Sequence, residues 1–191
     1  MTKPSILVFA GSLRAGSFNR GLADLAARRL EEHGARVTRL DLADYQLPMY
    51  QADLETDQGI PAATLKFHEQ LRTHQGVFIA SPEYNANVSP LMTNVLAWLS
   101  RVTEHGGMVA AFGKPVYAVS SASIGPFGGY RGLMALRTTL ELGLQARVLP
   151  LMVPVGMAAE AFDASGELLN PRSRGMLNQL TLQLVTESTK N

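Results

Sequence analysis

Short apolar runs alternate with helical patterns along the whole chain. The first apolar run covers residues 6–10 and stops at Gly11, and a pattern of apolar residues at helical spacing follows from Phe18 to Leu30. Four further runs predict strands over residues 37–42, 76–80, 115–120 and 146–151. The remaining helical patterns cover residues 65–71, 91–99, 133–144 and 176–185. Alternation of this kind is typical of an α/β protein with a parallel sheet covered by helices on both faces.

Five strands and about five helices predict one doubly wound domain over residues 1–191. No repeat or linker divides the sequence. The second apolar run is more mixed than the others, which indicates a strand nearer the edge of the sheet. Residues 44–61 are polar and contain prolines, and we interpret them as a long loop. In doubly wound sheets ligands bind beyond the carboxyl ends of the strands, so the segments after strands one, three and four are the candidate site.

Composition narrows the function classes. The chain has 191 residues, 46% of them hydrophobic and 17% charged, as in ordinary globular proteins. A net charge of +1 gives no electrostatic footprint for nucleic acid. Because there is no cysteine, disulfides, iron–sulfur clusters and thiolate nucleophiles are excluded, and a reducing compartment is favoured. The run at residues 6–10 is too short for a signal peptide or a membrane span, so we predict a cytoplasmic protein without a membrane partner.

The four histidines give no metal site by their spacing. Only two of them lie near each other in sequence, and their separation matches no helical zinc pair. We therefore predict surface histidines and no bound metal; the four are His33, His68, His74 and His105.

The segment after the first strand, residues 11–20, carries donors suited to a phosphate. Ser12, Ser17 and Asn19 supply polar side chains at a predicted helix start, and Arg14 supplies a cation. A helix N-terminus presents free N–H groups and the positive end of its dipole, so an anion binds there readily. The alternative is a serine-capped helix with a small polar loop. A P-loop is excluded because Ser17 stands in the lysine position, and the three spaced glycines of a Rossmann fingerprint are missing.

The segments after the third and fourth strands are suited to a flat heterocycle. Residues 81–90 hold two prolines that stiffen the loop, and Tyr84 and Asn85 supply a ring and an amide. The alternative is a rigid loop that only caps the next helix through Ser89. Residues 120–131 are small and glycine-rich, which allows the backbone to approach a flat ligand closely. A flexible turn is the alternative there.

With these three loops, the sequence closely resembles the NADPH-dependent FMN reductase family, which includes quinone, azo-dye and chromate reductases on a flavodoxin-like fold. The resemblance covers residues 6–149 and is carried by residues 11–20, 81–85 and 123–129. It implies a flavodoxin-like five-stranded sheet and an FMN site. The implied cofactor-binding residues are Ser12, Arg14, Ser17, Phe18 and Asn19 around the phosphate, Pro82, Glu83, Tyr84 and Asn85 on the ring system, largely through backbone groups, and Ser123 and Gly125 in the third turn.

The resemblance implies an NAD(P)H-dependent oxidoreductase with FMN as electron carrier and a quinone, azo compound, flavin or metal oxyanion as acceptor. No catalytic side chain is required, because the cofactor carries the chemistry. NADPH and NADH are both possible, since no segment has the features of a clamp for the nicotinamide phosphate. Two alternatives stay open: a flavodoxin-type electron carrier, against which the near-neutral charge argues, and a phosphate-binding hydrolase or transferase.

The helix over residues 91–101 is the predicted contact of a homodimer or homotetramer. Its apolar side chains cover more than one stripe, and Trp98 falls away from the direction of Leu96 and Leu99. We therefore expect Trp98 to face outward in a subunit interface, where the resemblance also places it. The family's usual residues are replaced here by Thr93-Asn94 and Ala97-Trp98. The alternative is that residues 44–61 cover this helix within one chain.

Overall fold

The computed structural model describes residues 3–190, in which a central parallel sheet lies between two layers of helices. The strands are β1 (Ser5–Ala10), β2 (Arg36–Leu40), β3 (Gly76–Ala80), β4 (Glu83–Tyr84), β5 (Asn87–Val88), β6 (Val116–Ala122), β7 (Arg147–Val148) and β8 (Val153–Val155). The helices are α1 (Phe18–Glu32), α2 (Ala52–Gln58), α3 (Ala62–Arg72), α4 (Pro90–Leu99), α5 (Tyr130–Thr138) and α6 (Pro171–Ser188). One turn of wider helix, Thr139–Gly143, extends α5.

The strands of the sheet follow the order β2-β1-β3-β6-β7. A further strand, β8, also pairs with β6. Every pairing in it is parallel. This order confirms the predicted flavodoxin-like fold, and β2 lies at the edge as expected. Within the predicted fifth strand over residues 146–151 only β7 forms, and it pairs with the start of β6; β8 follows that range and pairs with the end of β6. Pro150 lies between the two strands and has no N–H to give the ladder.

Alternate side chains of β1 pack against different helix layers. Ile6 and Val8 belong to the core beneath α1 and α6, whereas Leu7 and Phe9 belong to the core beneath α3, α4 and α5. All six residues of β1 are buried, as a strand covered on both faces requires. The sheet therefore offers its open carboxyl-end edge to a ligand.

Residues 44–61 were predicted to be a loop. The prediction was partly wrong, because these residues contain α2. None of the residues of α2 is buried, so it carries no apolar stripe from which a helix could be predicted.

The prediction of surface histidines was also wrong for two of the four histidines. His68 is 1% exposed and its Nε2 lies 2.9 Å from the carbonyl oxygen of Gly107. His74 is buried between Gln70 and Thr38.

Trp98 is buried, so the prediction that it faces outward was wrong. Its indole Nε1 donates to the carbonyl oxygen of Pro48 at 2.8 Å, and its ring meets that of Tyr50 edge-on with 5.1 Å between centroids. Asn94 donates to the same carbonyl at 2.9 Å and accepts from the Tyr50 backbone N–H at 2.8 Å. The segment that includes Pro48 and Tyr50 thus covers α4 within one chain, which was the alternative reading of the sequence.

Over residues 3–190, no helix is both long enough and apolar enough to cross a membrane.

Candidate functional site

Three loops leave the sheet side by side at its carboxyl-end edge. The ladder of hydrogen bonds continues into their first residues: the Gly11 N–H donates to the Ala80 carbonyl at 2.8 Å, and the Ser81 N–H donates to the Ser120 carbonyl at 2.9 Å. The first loop joins β1 to α1, the second joins β3 to α4, and the third joins β6 to α5. The structure therefore brings the three predicted ligand-binding segments together.

The first loop leads into α1, whose N-terminus has no side-chain cap. Ser17 is the N-cap of α1, yet within residues 3–190 its side chain makes no capping hydrogen bond. Ser89 caps α4 through the Met92 N–H at 3.3 Å, and Asn170 likewise caps α6. The first-turn N–H groups of α1 thus lack the side-chain acceptor that α4 and α6 have, and such groups attract an anion. Ser12 and Ser17 are both more than nine-tenths buried beside them.

Arg14 stands exposed in this loop without a carboxylate partner. No ion pair to Arg14 is formed within residues 3–190, and its guanidinium lies 5.5 Å from the centroid of the Phe18 ring. Gly16, with φ of +67°, makes the turn that leads from Arg14 into Ser17. The first loop therefore combines free N–H groups, two hydroxyls and an unneutralised cation, which is the donor set of a phosphate site.

The side chain of Asn19 pairs with the backbone of the third loop's first residues. Its side-chain amide donates to the Ala122 carbonyl at 2.8 Å and accepts from the Ala122 N–H at 2.9 Å, and the residue is 3% exposed. Because both ends of the amide serve Ala122, holding the first loop against the third fits this side chain better than contacting a phosphate. The backbone N–H of Asn19 still belongs to the first turn of α1.

The second loop is a hairpin formed by β4 and β5. Its two central residues, Asn85 and Ala86, have φ of 51° and 60°, as a two-residue type I′ turn requires. The turn leaves Tyr84 half exposed at 49%, while Pro82 is buried at the hairpin base. The sequence did not predict the hairpin because alanine is unusual where this turn normally has glycine.

Glu83, predicted on the ring largely through its backbone, turns its carboxylate toward α5. The carboxylate accepts from the Gly132 N–H at 2.9 Å and from the Arg131 guanidinium at 2.7 Å, and its side chain is 9% exposed. Burial alone would raise the pKa of this carboxyl. The hydrogen bonds from Gly132 and Arg131 outweigh burial and hold the pKa below its ordinary value.

The third loop provides bare backbone and one unpartnered hydroxyl. Gly128 and Gly129 both have positive φ, and a Cβ on Gly129 would lie 2.1 Å from the Ser121 Oγ. Ser121 is completely buried, and its hydroxyl has no hydrogen-bond partner within residues 3–190. Ser123 and Gly125 precede these glycines, with 3.4 Å between the Ser123 Oγ and the Gly125 nitrogen. The glycine backbone of this loop lets it pack closely over Ser121, while Ile124 and Phe127 extend from the loop into solvent.

Exposed apolar side chains surround these loops. They are Leu13, Tyr84, Ile124 and Phe127, which are between 49% and 72% exposed. A cleft of about 180 Å³ lies beside the first loop, lined in part by Ser12, Arg20 and Asp41. Cofactor pockets usually reach roughly 300 Å³ or more, so this cleft is too small for a ring system.

Comparison with known proteins gives a family and a fold. The model of the family described as NADPH-dependent FMN reductase matches residues 4–160. An NAD(P)H-dependent FMN reductase of Pseudomonas aeruginosa is 34% identical, over 91% of this chain and 89% of its own length. A quinone reductase of Escherichia coli is 33% identical, over 95% of this chain and 92% of its own length.

Among solved structures, FerB, a flavoenzyme NAD(P)H:(acceptor) oxidoreductase from Paracoccus denitrificans, superposes with a TM-score of 0.78. It is 24% identical to this chain, and the match covers 98% of both chains. At this identity the similarity supports a shared fold, which is flavodoxin-like in both proteins.

Proposed function

The chain belongs to the NADPH-dependent FMN reductase family, and from this premise we propose how its three loops hold FMN and which acceptor it reduces. Membership confirms the resemblance drawn from the sequence, the enzyme class of oxidoreductase, and FMN with NADPH or NADH as cofactors. The residues that bind them, the acceptor and the oligomeric state are proposals.

The FMN phosphate binds at the start of α1. The observation that carries this assignment is the uncapped first turn of α1 beside Arg14, which has no carboxylate partner in residues 3–190. Ser12 and Ser17 add hydroxyls, and Phe18 carries a backbone N–H of the first turn. Asn19 holds the loop in place through Ala122. Charge-assisted bonds from a guanidinium and a helix N-terminus suit a phosphate dianion.

The isoalloxazine ring lies at the carboxyl-end edge of the sheet, against the hairpin and the third loop. Pro82, Tyr84 and Asn85 present backbone groups, a ring and an amide on one side, and Ser123 and Gly125 present polar backbone on the other. When bound, FMN supplies the electron transfer itself, so the protein needs only to bind the cofactor, orient it and shield it. No side chain is assigned a catalytic proton transfer. The nicotinamide and the acceptor use the same exposed face in turn.

We assign a quinone as the acceptor class, with azo compounds, flavins and metal oxyanions as the other candidates. Several relatives are named quinone reductases, and the exposed side chain of Leu13 offers an apolar contact to a flat ring. A flavodoxin-type carrier is the second candidate function. The net charge of +1 gives it no acidic docking surface for a basic partner.

A homodimer or homotetramer is part of the proposal, with its contact moved from Trp98 to the rim of the site. Tyr84, Ile124 and Phe127 are exposed at this edge, and a second copy would cover them. We also place the protein in the cytoplasm, since a chain without cysteine suits a reducing compartment. Mass measurement in solution tests the oligomer: wild type should exceed one chain, and Phe127→Glu should lower the mass.

Steady-state kinetics test the enzymatic proposal. We expect oxidation of NADPH or NADH with a benzoquinone as acceptor, and parallel double-reciprocal lines, because two substrates that share one face bind alternately. Intersecting lines would contradict a shared face. If the FMN-loaded protein shows no turnover with any acceptor, the result would favour the electron carrier.

A further inference from the structure

We propose that Glu83 is a positioning residue that locks the hairpin to α5 and that its negative charge lowers the reduction potential of bound FMN. The inference rests on the proposed function, since it needs the ring beside the hairpin. It concerns a side chain that points away from the proposed ring face and toward the helix behind it.

The lock has a specific geometry. The N-cap of α5 is Gly129, which has no side chain to accept from the helix start. The carboxylate of Glu83 takes this role from another segment of the chain, accepting from the Gly132 N–H at 2.9 Å. The contact leaves no spare room, because a Cβ on Gly132 would lie 2.9 Å from the Cβ of Glu83. The Glu83 side chain therefore ties the hairpin that presents Tyr84 to the first turn of α5.

The charge of Glu83 is unusual at this site. In the segments 11–20, 81–90 and 120–131, Glu83 is the only acidic residue, whereas Arg14, Arg20 and Arg131 are all cationic. Its side chain is 9% exposed, but that of its partner Arg131 is 64% exposed. Water therefore screens the cation much more than the carboxylate. Glu83 is therefore the one acidic charge that these three segments place beside the hairpin, and its paired cation is the more solvated partner.

A negative field beside a flavin opposes its reduction. Reduced FMN carries more negative charge than oxidised FMN, so a nearby carboxylate raises the free energy of the reduced form. Charge near the ring is one of the means by which a protein sets the properties of a bound flavin. Glu83 would thereby keep the reduced enzyme a strong electron donor toward its acceptor.

The test compares Glu83→Gln with wild type and with Glu69→Gln, all loaded with FMN. Glutamine keeps an oxygen for the Gly132 N–H but removes the charge. Glu69 is an acid on α3 that pairs with Arg72 and stands outside the three loops, so its variant controls for net charge alone. The measurement is the midpoint potential of bound FMN against a reference dye.

We expect Glu83→Gln to favour reduced FMN by about tenfold, a rise of about 30 mV for a two-electron couple, with Glu69→Gln unchanged. A Glu83→Gln potential equal to wild type, or a rise shared by Glu69→Gln, would overturn the inference. Wild-type protein that binds no FMN would refute the proposed function instead, and the two failures are thus distinguishable.

The lock is tested separately by hydrogen exchange of the Gly132 amide. We expect faster exchange in Glu83→Ala than in wild type, with Glu83→Gln close to wild type because it keeps the acceptor. Unchanged exchange in Glu83→Ala would contradict the lock. Should Glu83→Ala fail to fold, Glu83→Gln and Glu83→Lys are compared in its place, and equal protection of Gly132 in both would contradict it as well.

Discussion

The side-chain amide of Asn19 pairs with both backbone groups of Ala122, donating to its carbonyl at 2.8 Å and accepting from its N–H at 2.9 Å. The two residues lie 103 positions apart in the chain. This pair joins the start of α1, where we place the phosphate, to the end of β6, where the third loop begins. It explains how loops from separate strands can present one continuous binding surface.

Asn19→Ala should destabilise the fold by about 2 kcal/mol or more, because it leaves two buried backbone groups of Ala122 without partners. Asn94→Ala is the matched control. It also removes one donated and one accepted bond, but Asn94 is only partly buried and water can replace it. Urea unfolding of both variants is the measurement. Equal losses of stability would show that burial of the Asn19 pair adds nothing.

Ala86→Gly should raise the free energy of unfolding by roughly 0.5–1 kcal/mol. Alanine in the left-handed conformation costs about 1–2 kcal/mol, and glycine avoids this while losing part of the gain to backbone entropy. Ala15→Gly serves as the control, because Ala15 is exposed in a turn with negative φ and should lose stability. Thermal unfolding of both proteins reports the signs. A destabilised Ala86→Gly would argue against the type I′ hairpin.

His74 should make the fold less stable in mild acid. Its Nδ1–H donates to the Gln70 carbonyl at 2.6 Å, and its Nε2 lies 2.8 Å from the Thr38 hydroxyl. Burial lowers the pKa of His74, the bond to Gln70 partly opposes this, and the charge of Arg36 lowers the pKa further. Below about pH 6.5 the unfolded chain therefore binds more protons than the folded one, and stability falls with pH.

The expected slope for this group is at most about 1.4 kcal/mol per pH unit, and it should flatten below the lowered pKa of the folded state. His74→Asn should remove this contribution between pH 7.5 and 5.5, while His105→Asn, at an exposed position, should keep it. Urea unfolding at several pH values is the measurement. The same pH dependence in wild type and His74→Asn would contradict the assignment.

The sheet and the placement of the three loops could be predicted from sequence, because buried parallel strands are continuous apolar runs. The position of Trp98 could not. Its helix is apolar on more than one side, and helical spacing cannot distinguish a partner subunit from a covering segment of the same chain. The deciding contact, from the Trp98 indole to the Pro48 carbonyl, joins residues 50 positions apart. α2 was missed because none of its residues is buried.

Within the candidate site, residue type indicated the chemistry but not the partner of each side chain. Ser12, Arg14 and Ser17 lie at the start of α1, and their contact with a phosphate stays a prediction. Asn19 was expected at the phosphate, and Glu83 on the ring system largely through its backbone; their side-chain polar atoms pair with Ala122 and Gly132. Both partners are backbone groups of elements distant in sequence, the end of β6 and the first turn of α5, and a backbone group leaves no trace in the sequence by which such a pairing could be predicted.

The affinity of the protein for FMN, measured by titrating flavin-free protein and following flavin fluorescence, tests the central claim most directly. We expect tight binding by wild type and a loss of about ten- to hundredfold in Arg14→Ala, since a charged hydrogen bond to phosphate is removed. Arg72→Ala, which removes an arginine of α3 paired with Glu69, should bind as wild type does. Wild type without affinity for FMN, or Arg14→Ala with an unchanged dissociation constant, would contradict the phosphate site at the start of α1.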